Sequence, residues 1–441
     1  MAAPDGPDIH FLRWHMAGRL LKVAGLGAAW LLLLAAEASA ESLSQAVARA
    51  IATHPEVASY DLSSRATAEG IGVAKGNRRP RLSLQAQAGY RANDLNDDRS
   101  YGGSLSATQT LYDAGESRAQ LRRSKADARA AQSRYREIAL EIALQTVQAY
   151  VEVQRSRQLL VILKNNIAAL TLIHRRVKLR SEAGLGSNAE VYQSRSRIEA
   201  AIELLETAKQ QNADAVALYL TLTGAAPGTL ETQGAPVKSL PPSAGEAVIL
   251  AMRHSPRLLA ARYDAVSADA AWRGTRSLLA PRLNLRVGMD YDAEVQGFSS
   301  ENKSASAMVS LRFDLYDGGV RKARIQQARY LAAASHQDVL ATGRQVEHEM
   351  QVAWNAIIAS AGRLTPLGRQ AKDARAALTL SLQRFAAGLA TLDTVLGLQD
   401  QAAAAEVARI NEQASYRYNV HRVLAATGRL FRALDVAVPR P

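Results

Sequence analysis

The sequence predicts a mainly α-helical chain with a small β part, built twice over, each half supplying two strands and a pair of very long helices. Three observations carry that expectation. The first is an offset of about 201 to 204 residues that recurs in order along the chain. Ala50-Ile51-Ala52-Thr53-His54-Pro55 faces Ala251-Met252-Arg253-His254-Ser255-Pro256, and Pro80-Arg81-Leu82-Ser83-Leu84 faces Pro281-Arg282-Leu283-Asn284-Leu285. Leu111-Tyr112-Asp113-Ala114-Gly115 faces Leu315-Tyr316-Asp317-Gly318-Gly319, Ala183-Gly184-Leu185 faces Ala387-Gly388-Leu389, and Thr223-Gly224 faces Thr427-Gly428. The second is that, in each half, the hydrophobic period changes from two to that of a helix. The third is a composition with only 5% aromatics, rich in Ala, Gln and Arg, which favours long, closely packed helices.

Taken in order, the elements begin with a processing signal. Arg19 and Lys22 precede an apolar run over 23–36 that ends in Ala38-Ser39-Ala40, the layout of a secretory signal peptide. Residues 1–40 are therefore expected to be removed between Ala40 and Glu41, with Met16 an alternative start. The run is shorter than the roughly 20 residues a membrane-spanning helix needs, and nothing after residue 40 reaches that length without charges. An exported chain of this kind is either soluble or crosses the outer membrane as a β-barrel.

The first repeat is placed at 41–223, a Pro- and Gly-rich linker at 224–243, the second repeat at 244–428, and a C-terminal tail at 429–441. Each repeat opens with a helix of some thirty residues (43–75; 245–276) that stops before a proline. Leu82, Leu84, Ala86, Ala88 and Tyr90 then alternate with Arg81, Ser83, Gln85, Gln87 and Gly89, and Leu283, Leu285, Val287, Met289 and Tyr291 alternate in the same way. Polar loops (93–101; 292–304) lead to returning strands at 104–112 and 308–316, making two hairpins. Strands of roughly ten residues with tyrosines near their ends suit a tilted bilayer crossing. Four strands are too few to close a barrel, so an oligomer must complete it.

Helical periodicity then holds over 115–182 and 319–386. Leu160, Leu163, Ile167, Leu170 and Val177 follow coiled-coil spacing, and Leu140, Leu144, Val147 and Val151 extend the seam. Such helices reach roughly 100 Å at 1.5 Å per residue. Pro366 predicts a kink or break in the second. Each ends at an Ala-Gly-Leu whose glycine can turn the chain back, followed by Ser187 or Asn188, or by Thr391, as the cap of a return helix.

On these residues the chain resembles the TolC-like outer-membrane factors: the duplicated Ala-x4-Pro helix, the Pro-x-Leu-x-Leu strand entry, the Leu-Tyr-Asp-x-Gly strand exit and the Gly-Leu tips. The resemblance implies a homotrimer with one twelve-stranded β-barrel in the outer membrane, continuous with a periplasmic α-barrel. It implies docking of a periplasmic adaptor (membrane fusion protein) on the tips Ala183, Gly184, Leu185, Ala387, Gly388 and Leu389. The pump behind it is an inner-membrane ABC exporter or, alternatively, an RND-type pump. Glu190, Phe385, Asp393 and Asp400 are the implied entrance and gating candidates. Departures stand beside them: Thr394 and Gly397 occupy the second repeat's usual aspartate sites, Phe385 stands where some members have Tyr, and Ala390 where some have Arg. At these positions the chain does not match the acidic ring or the tyrosine or arginine lock of the family, which shifts the weight of gating toward packing, and Glu190 and Asp393 also suit first-turn carboxylates favoured by the helix dipole.

Cysteine is absent, which excludes disulfides, thiolate metal sites and an acylated N-terminal cysteine. A formal charge of +13 is spread along helix faces and not clustered beside aromatics, so nucleic acid is not an expected partner. No catalytic residue, metal site or cofactor is expected: Glu347-His348-Glu349 is the one compact acid/base cluster, and no phosphate loop or dinucleotide fingerprint occurs. Export of an unfolded protein of the repeat-containing toxin type by type I secretion is the leading expectation, with outer-membrane lipid around the barrel. Efflux of small molecules is the alternative, and a soluble periplasmic coiled-coil protein a distant one.

Overall fold

The computed structural model describes residues 40–92, 97–295 and 300–437. The expected signal peptide up to Ser39 lies outside them, as do the hairpin tips at 93–96 and 296–299 and the last four residues. In chain order the elements are α1 (Leu43–Thr53), α2 (Pro55–Gly76), β1 (Arg81–Ala92), β2 (Asp97–Tyr112), α3 (Glu116–Glu182) and α4 (Asn188–Thr223). After the linker, with its 3-10 turn at Val237–Ser239, come α5 (Ala244–His254), α6 (Pro256–Thr275), a second 3-10 turn at Arg276–Leu279, β3 (Arg282–Val295), β4 (Ser300–Arg312), α7 (Val320–Ala386), α8 (Leu392–Ala426) and the short α9 (Leu430–Ala433).

The opening helix of each repeat is two helices where one was expected. His54 and Ser255 sit at φ/ψ of −69°/124° and −60°/116°, because the residue before a proline is driven out of the helical region. Pro55 and Pro256 then take the first helical position, where a missing N–H costs nothing. Ser42 starts α1 with a capping box: its Oγ accepts from Gln45 N–H at 3.2 Å while its own N–H donates to Gln45 Oε1 at 3.0 Å.

The four strands form one antiparallel sheet in the order β1-β2-β3-β4. They reach further into the hairpin ends than the loop composition suggests, and β2 pairs with β3 across the two repeats as far as Tyr112 and Leu283, with an irregularity between Thr110 and Tyr112. The returning strand of the second repeat behaves differently. It was expected to run to Tyr316 but stops at Arg312. Its counterpart β2 has partners on both sides, whereas β4 is a sheet edge, so Phe313 to Tyr316 have no ladder to join.

Strand turns into helix through two consecutive left-handed residues in each repeat, Ala114 (φ 48°) and Gly115 (φ 88°), then Gly318 (φ 66°) and Gly319 (φ 88°). Asp113 holds the first turn of α3, its carboxylate accepting from Gly115 N–H at 3.0 Å and Ser117 N–H at 2.9 Å. Asp317 does the same for Gly319 and Arg321, at 3.1 and 2.8 Å. Each long helix is then unbroken for 67 residues, or roughly 100 Å. Of the kink or break expected at Pro366, a break does not occur: α7 runs through it. Ala361, Gly362, Arg363, Thr365 and Pro366 are all exposed there, so water can solvate the carbonyl that loses its partner.

The main core forms a belt where α1, α3, α4, α5, α7, α8 and α9 meet, around Val47, Val147, Tyr150, Tyr219, Met350 and Leu424. The linker is strapped onto it. Glu41 N–H donates to the Thr229 carbonyl at 2.8 Å and Glu231 N–H to the Glu41 carbonyl at 3.0 Å. Tyr150 O–H bridges the carbonyls of Glu41 and Glu231 at 2.7 and 2.8 Å, and burial pushes its phenol up to about 12. Leu430, Phe431 and Leu434 close the belt from the C-terminal side.

Candidate functional site

The sheet has two chemically distinct faces. Across the register, Leu84 pairs with Leu105, Leu105 with Met289, Ala107 with Val287, and Leu283 with Leu311, all on one side. Leu82, Leu84, Met289, Val309 and Leu311 on that side are exposed, Leu84 to 78%. The opposite side carries Ser83, Gln85, Ser104, Ser106, Thr108, Thr110, Asn284, Ser306 and Ser310, and the polar groups bond across strands: Ser83 Oγ to Ser106 Oγ at 3.0 Å, and Thr110 Oγ1 to Asn284 Oδ1 at 3.1 Å. A continuous apolar face of such extent on one side, backed by hydroxyls and amides, fits hydrocarbon outside and water inside. Among the described residues no helix is long and apolar enough to cross a membrane.

At the far ends of the long helices the two tips share one backbone solution. Gly184 (φ 73°) and Gly388 (φ 75°) are left-handed. Leu185 N–H donates to the Arg180 carbonyl at 2.8 Å and Gly184 N–H to that of Ser181 at 3.0 Å; Leu389 and Gly388 repeat this on Arg384 and Phe385 at 2.8 and 3.1 Å. This double bond pattern satisfies the last carbonyls of α3 and α7 and reverses the chain. Ala183 and Ala387 are the C-caps. Leu185 and Leu389 project 71% and 69% exposed, two apolar side chains at the extremity of the molecule.

The return helices are capped by different residues. Ser187 Oγ accepts from Ala189 N–H at 3.1 Å, and the Glu190 carboxylate accepts from Ser187 N–H at 3.3 Å. Glu190 is thus occupied in a capping box. Thr391 caps α8 by accepting from Thr394 N–H at 3.3 Å. Asp393 and Asp400 both reach across to α4: Gln193 Nε2 donates to Asp393 Oδ1 at 3.2 Å, and Arg197 pairs with Asp400 at 3.2 Å. Phe385 is 4% exposed, packed with Leu170, Ile173, Val177, Leu392, Val395 and Leu396, and the Arg180 guanidinium lies 5.1 Å from its ring centroid. Deeper between α3 and α8, Gln399 Nε2 donates to Asn166 Oδ1 at 2.7 Å, both side chains buried.

The four candidates therefore gather at one end of the helical body, but their work differs. Phe385 fills an apolar plug, Asp393 and Asp400 tie α8 to α4, and Glu190 holds its own helix start. Gln193, Arg197, Asn166 and Gln399 escape a sequence reading, because nothing in the spacing says which residues of α3, α4 and α8 face one another. Ala40 and Glu41 lie elsewhere, at the belt, with Glu41 pairing with Leu230 of the linker. Among the described residues no cluster of His, Asp or Glu is arranged to hold a metal ion.

With this geometry the chain is similar to known proteins over almost its whole length. The family model described as outer membrane efflux protein matches residues 46–225 and 248–429, one segment per repeat. The outer membrane efflux protein BepC of Brucella suis is 23% identical over 395 residues, covering 89% of this chain and 86% of its own. The outer membrane protein TolC of Vibrio cholerae is 26% identical, covering 81% of this chain and 84% of its own. The Campylobacter jejuni CmeC outer membrane channel superposes with a TM-score of 0.80 at 16% identity, over 88% of this chain and 86% of that one.

Proposed function

The chain belongs to the outer membrane efflux protein family, and from that premise we propose that it is the exit duct of a type I secretion system, passing an unfolded polypeptide out of the cell. It resides in the outer membrane, extends into the periplasm, and is a channel of the family that works with an adaptor and an inner-membrane pump. The observation that carries the reading is the two-faced sheet with an unpaired edge on β1 and another on β4. Three copies joined edge to edge close a twelve-stranded barrel whose lipid face is the Leu and Met side and whose bore is the Ser, Thr and Gln side.

Protein cargo is supported by that bore, a wet wall of hydroxyls and amides interspersed with charges of both signs (Arg81, Arg286 and Asp290), and by the absence of an acylatable cysteine. The duct supplies no energy; an ABC exporter does, through a periplasmic adaptor seated on Leu185 and Leu389. Opening requires α8 to move off α3 and α4, breaking Arg197–Asp400 and Gln193–Asp393 and uncovering Phe385. BepC is named as an efflux protein, and this favours small-molecule efflux as a second reading.

Deletion of the chain decides between them. Loss of a polypeptide from the culture medium with unchanged drug tolerance is the expected result. Unchanged secretion with a lowered drug tolerance overturns the type I reading in favour of efflux.

A further inference from the structure

Beneath the linker, away from both the bore and the tips, lies a cavity of about 340 Å³ walled by α3, the linker, α7 and α8. That is the lower end of the roughly 300–1,000 Å³ typical of small-molecule sites. Val151, Val237, Leu364 and Ile410 make its apolar walls, and Arg155 and Arg417 bring positive charge.

The two arginines are in opposite situations. Arg155 is fully engaged, its Nε donating to Glu152 Oε2 at 2.8 Å and its Nη1 to Asn411 Oδ1 at 2.9 Å. Arg417 forms no ion pair with any described residue; its Nε, like Gln154 Oε1 in the same lining, is enclosed without a hydrogen-bond partner. Burial depresses its pKa accordingly, with only a partial offset from Tyr150. A guanidinium whose Nε is enclosed while the rest of the group faces the cavity, with no counter-charge beside it, is a standing cost that an anion in the cavity would relieve. Among the described residues of the lining Arg417 is the cation without a counter-charge, which calls for a monoanion; the aliphatic part of the wall calls for an apolar body, and Gln154, Gln158, Gln233 and Gln413 make up a polar rim.

We propose that this cavity binds a small organic monocarboxylate, its carboxylate on Arg417 and its hydrocarbon part against Val151, Val237, Leu364 and Ile410. The walls come from both repeats and the linker, so a bound ligand ties together segments that are far apart in sequence. Because ligand binding stabilises only the folded form, occupancy raises the melting temperature of the belt.

Titrating the purified full-length protein in detergent with benzoate, and separately with its neutral counterpart benzamide, tests this by calorimetry. Benzoate is expected to bind at least about tenfold more tightly than benzamide. Arg417→Gln removes that preference while leaving the assembly intact. Ala414→Phe fills the cavity from a wall position without altering any charge and abolishes binding of both compounds. No binding of benzoate to the unmodified protein, equal binding of benzamide, or benzoate binding that survives both substitutions overturns the proposal.

Discussion

The two repeats share a chain grammar but not an environment. Helices α3 and α7 have the same 67 residues, yet α3 has 23 buried positions and α7 has 12, because α3 is wrapped by α1, α2, α4, α6 and α8 within one protomer. Among the described residues helix α7 packs mainly on α5, α6 and α8, with Tyr330, Leu331, Leu340 and Ile358 exposed. The difference teaches that a duplicated sequence is a duplicated backbone plan. Within one protomer the long helix of the first copy is enclosed and that of the second is open along one side, and the side chains have diverged to match.

Breaking that division of labour at the tip should have the largest effect. Phe385 aligns by the repeat offset with Ser181, so the aromatic of the apolar plug comes from the second copy alone, although both copies build the plug. Phe385→Ala should cost about 3–5 kcal/mol locally. Hydrogen exchange should show lost amide protection in 385–400 with the belt unchanged; belt amides losing protection equally would remove the distinction between the two regions. The buried amide pair gives a sharper probe of α3 against α8. Asn166→Leu should destabilise by about 1–3 kcal/mol by stranding Gln399, while the double change with Gln399→Leu should recover most of it. Denaturant unfolding of the single and double variants measures the coupling, and simple additivity would mean the pair is not a unit.

At the strand-to-helix joints the repeats differ by one residue. Ala114 holds φ 48° where the second repeat has Gly318. Ala114→Gly should stabilise by up to about 1–2 kcal/mol and Gly318→Ala should destabilise by a similar amount, since only glycine takes this conformation without a Cβ penalty. Opposite shifts in thermal midpoint are expected. Among the caps, Glu190→Ala should cost about 0.3–1 kcal/mol, and Asp393→Ala less of the helix start, because Thr391 rather than Asp393 caps α8. Circular dichroism of isolated tip hairpins would compare them.

The last distinction is one of pH. His421 is buried, its Nδ1–H donating to the Arg417 carbonyl at 2.7 Å, and desolvation holds its pKa below the ordinary 6.5; the offset places Ala217 there in the first repeat. A folded-state pKa depressed below the unfolded one means that the unfolded chain binds the extra proton first. Stability from neutral His421 is therefore complete above pH 6.5 and falls as pH drops through that value toward the folded pKa. His421→Gln should flatten the thermal midpoint across that window; an unchanged slope would place the sensitivity elsewhere.

Much of the plan is legible in the residues because its causes are local. Period-two alternation at 82–90 makes a strand whichever partner it finds, and Gly184 and Gly388 reverse the chain through bonds that span five residues. Pro55 and Pro256 were equally local signals, and their restriction of the preceding residue explains why two helices stand where continuous apolar spacing suggested one. At Pro366 the local rule did not end the helix: α7 continues because the turns on either side are long and the freed carbonyl is open to water. At the tip, residue type pointed to Glu190, Phe385, Asp393 and Asp400, but their separate tasks followed only from contacts.

The sequence by itself determined the duplication, the strand faces, the lengths of the two longest helices and the turns at both tips, since each depends on periodicity or on backbone preference within a few residues. Tertiary structure alone decided that β2 joins β3 across the repeats, that β4 ends at Arg312, and that Arg197 meets Asp400. It also decided that Arg417 Nε is enclosed without a hydrogen-bond partner among the described residues. These depend on which surfaces meet across some two hundred residues of chain, and there side-chain packing and desolvation, not local propensity, set the energy.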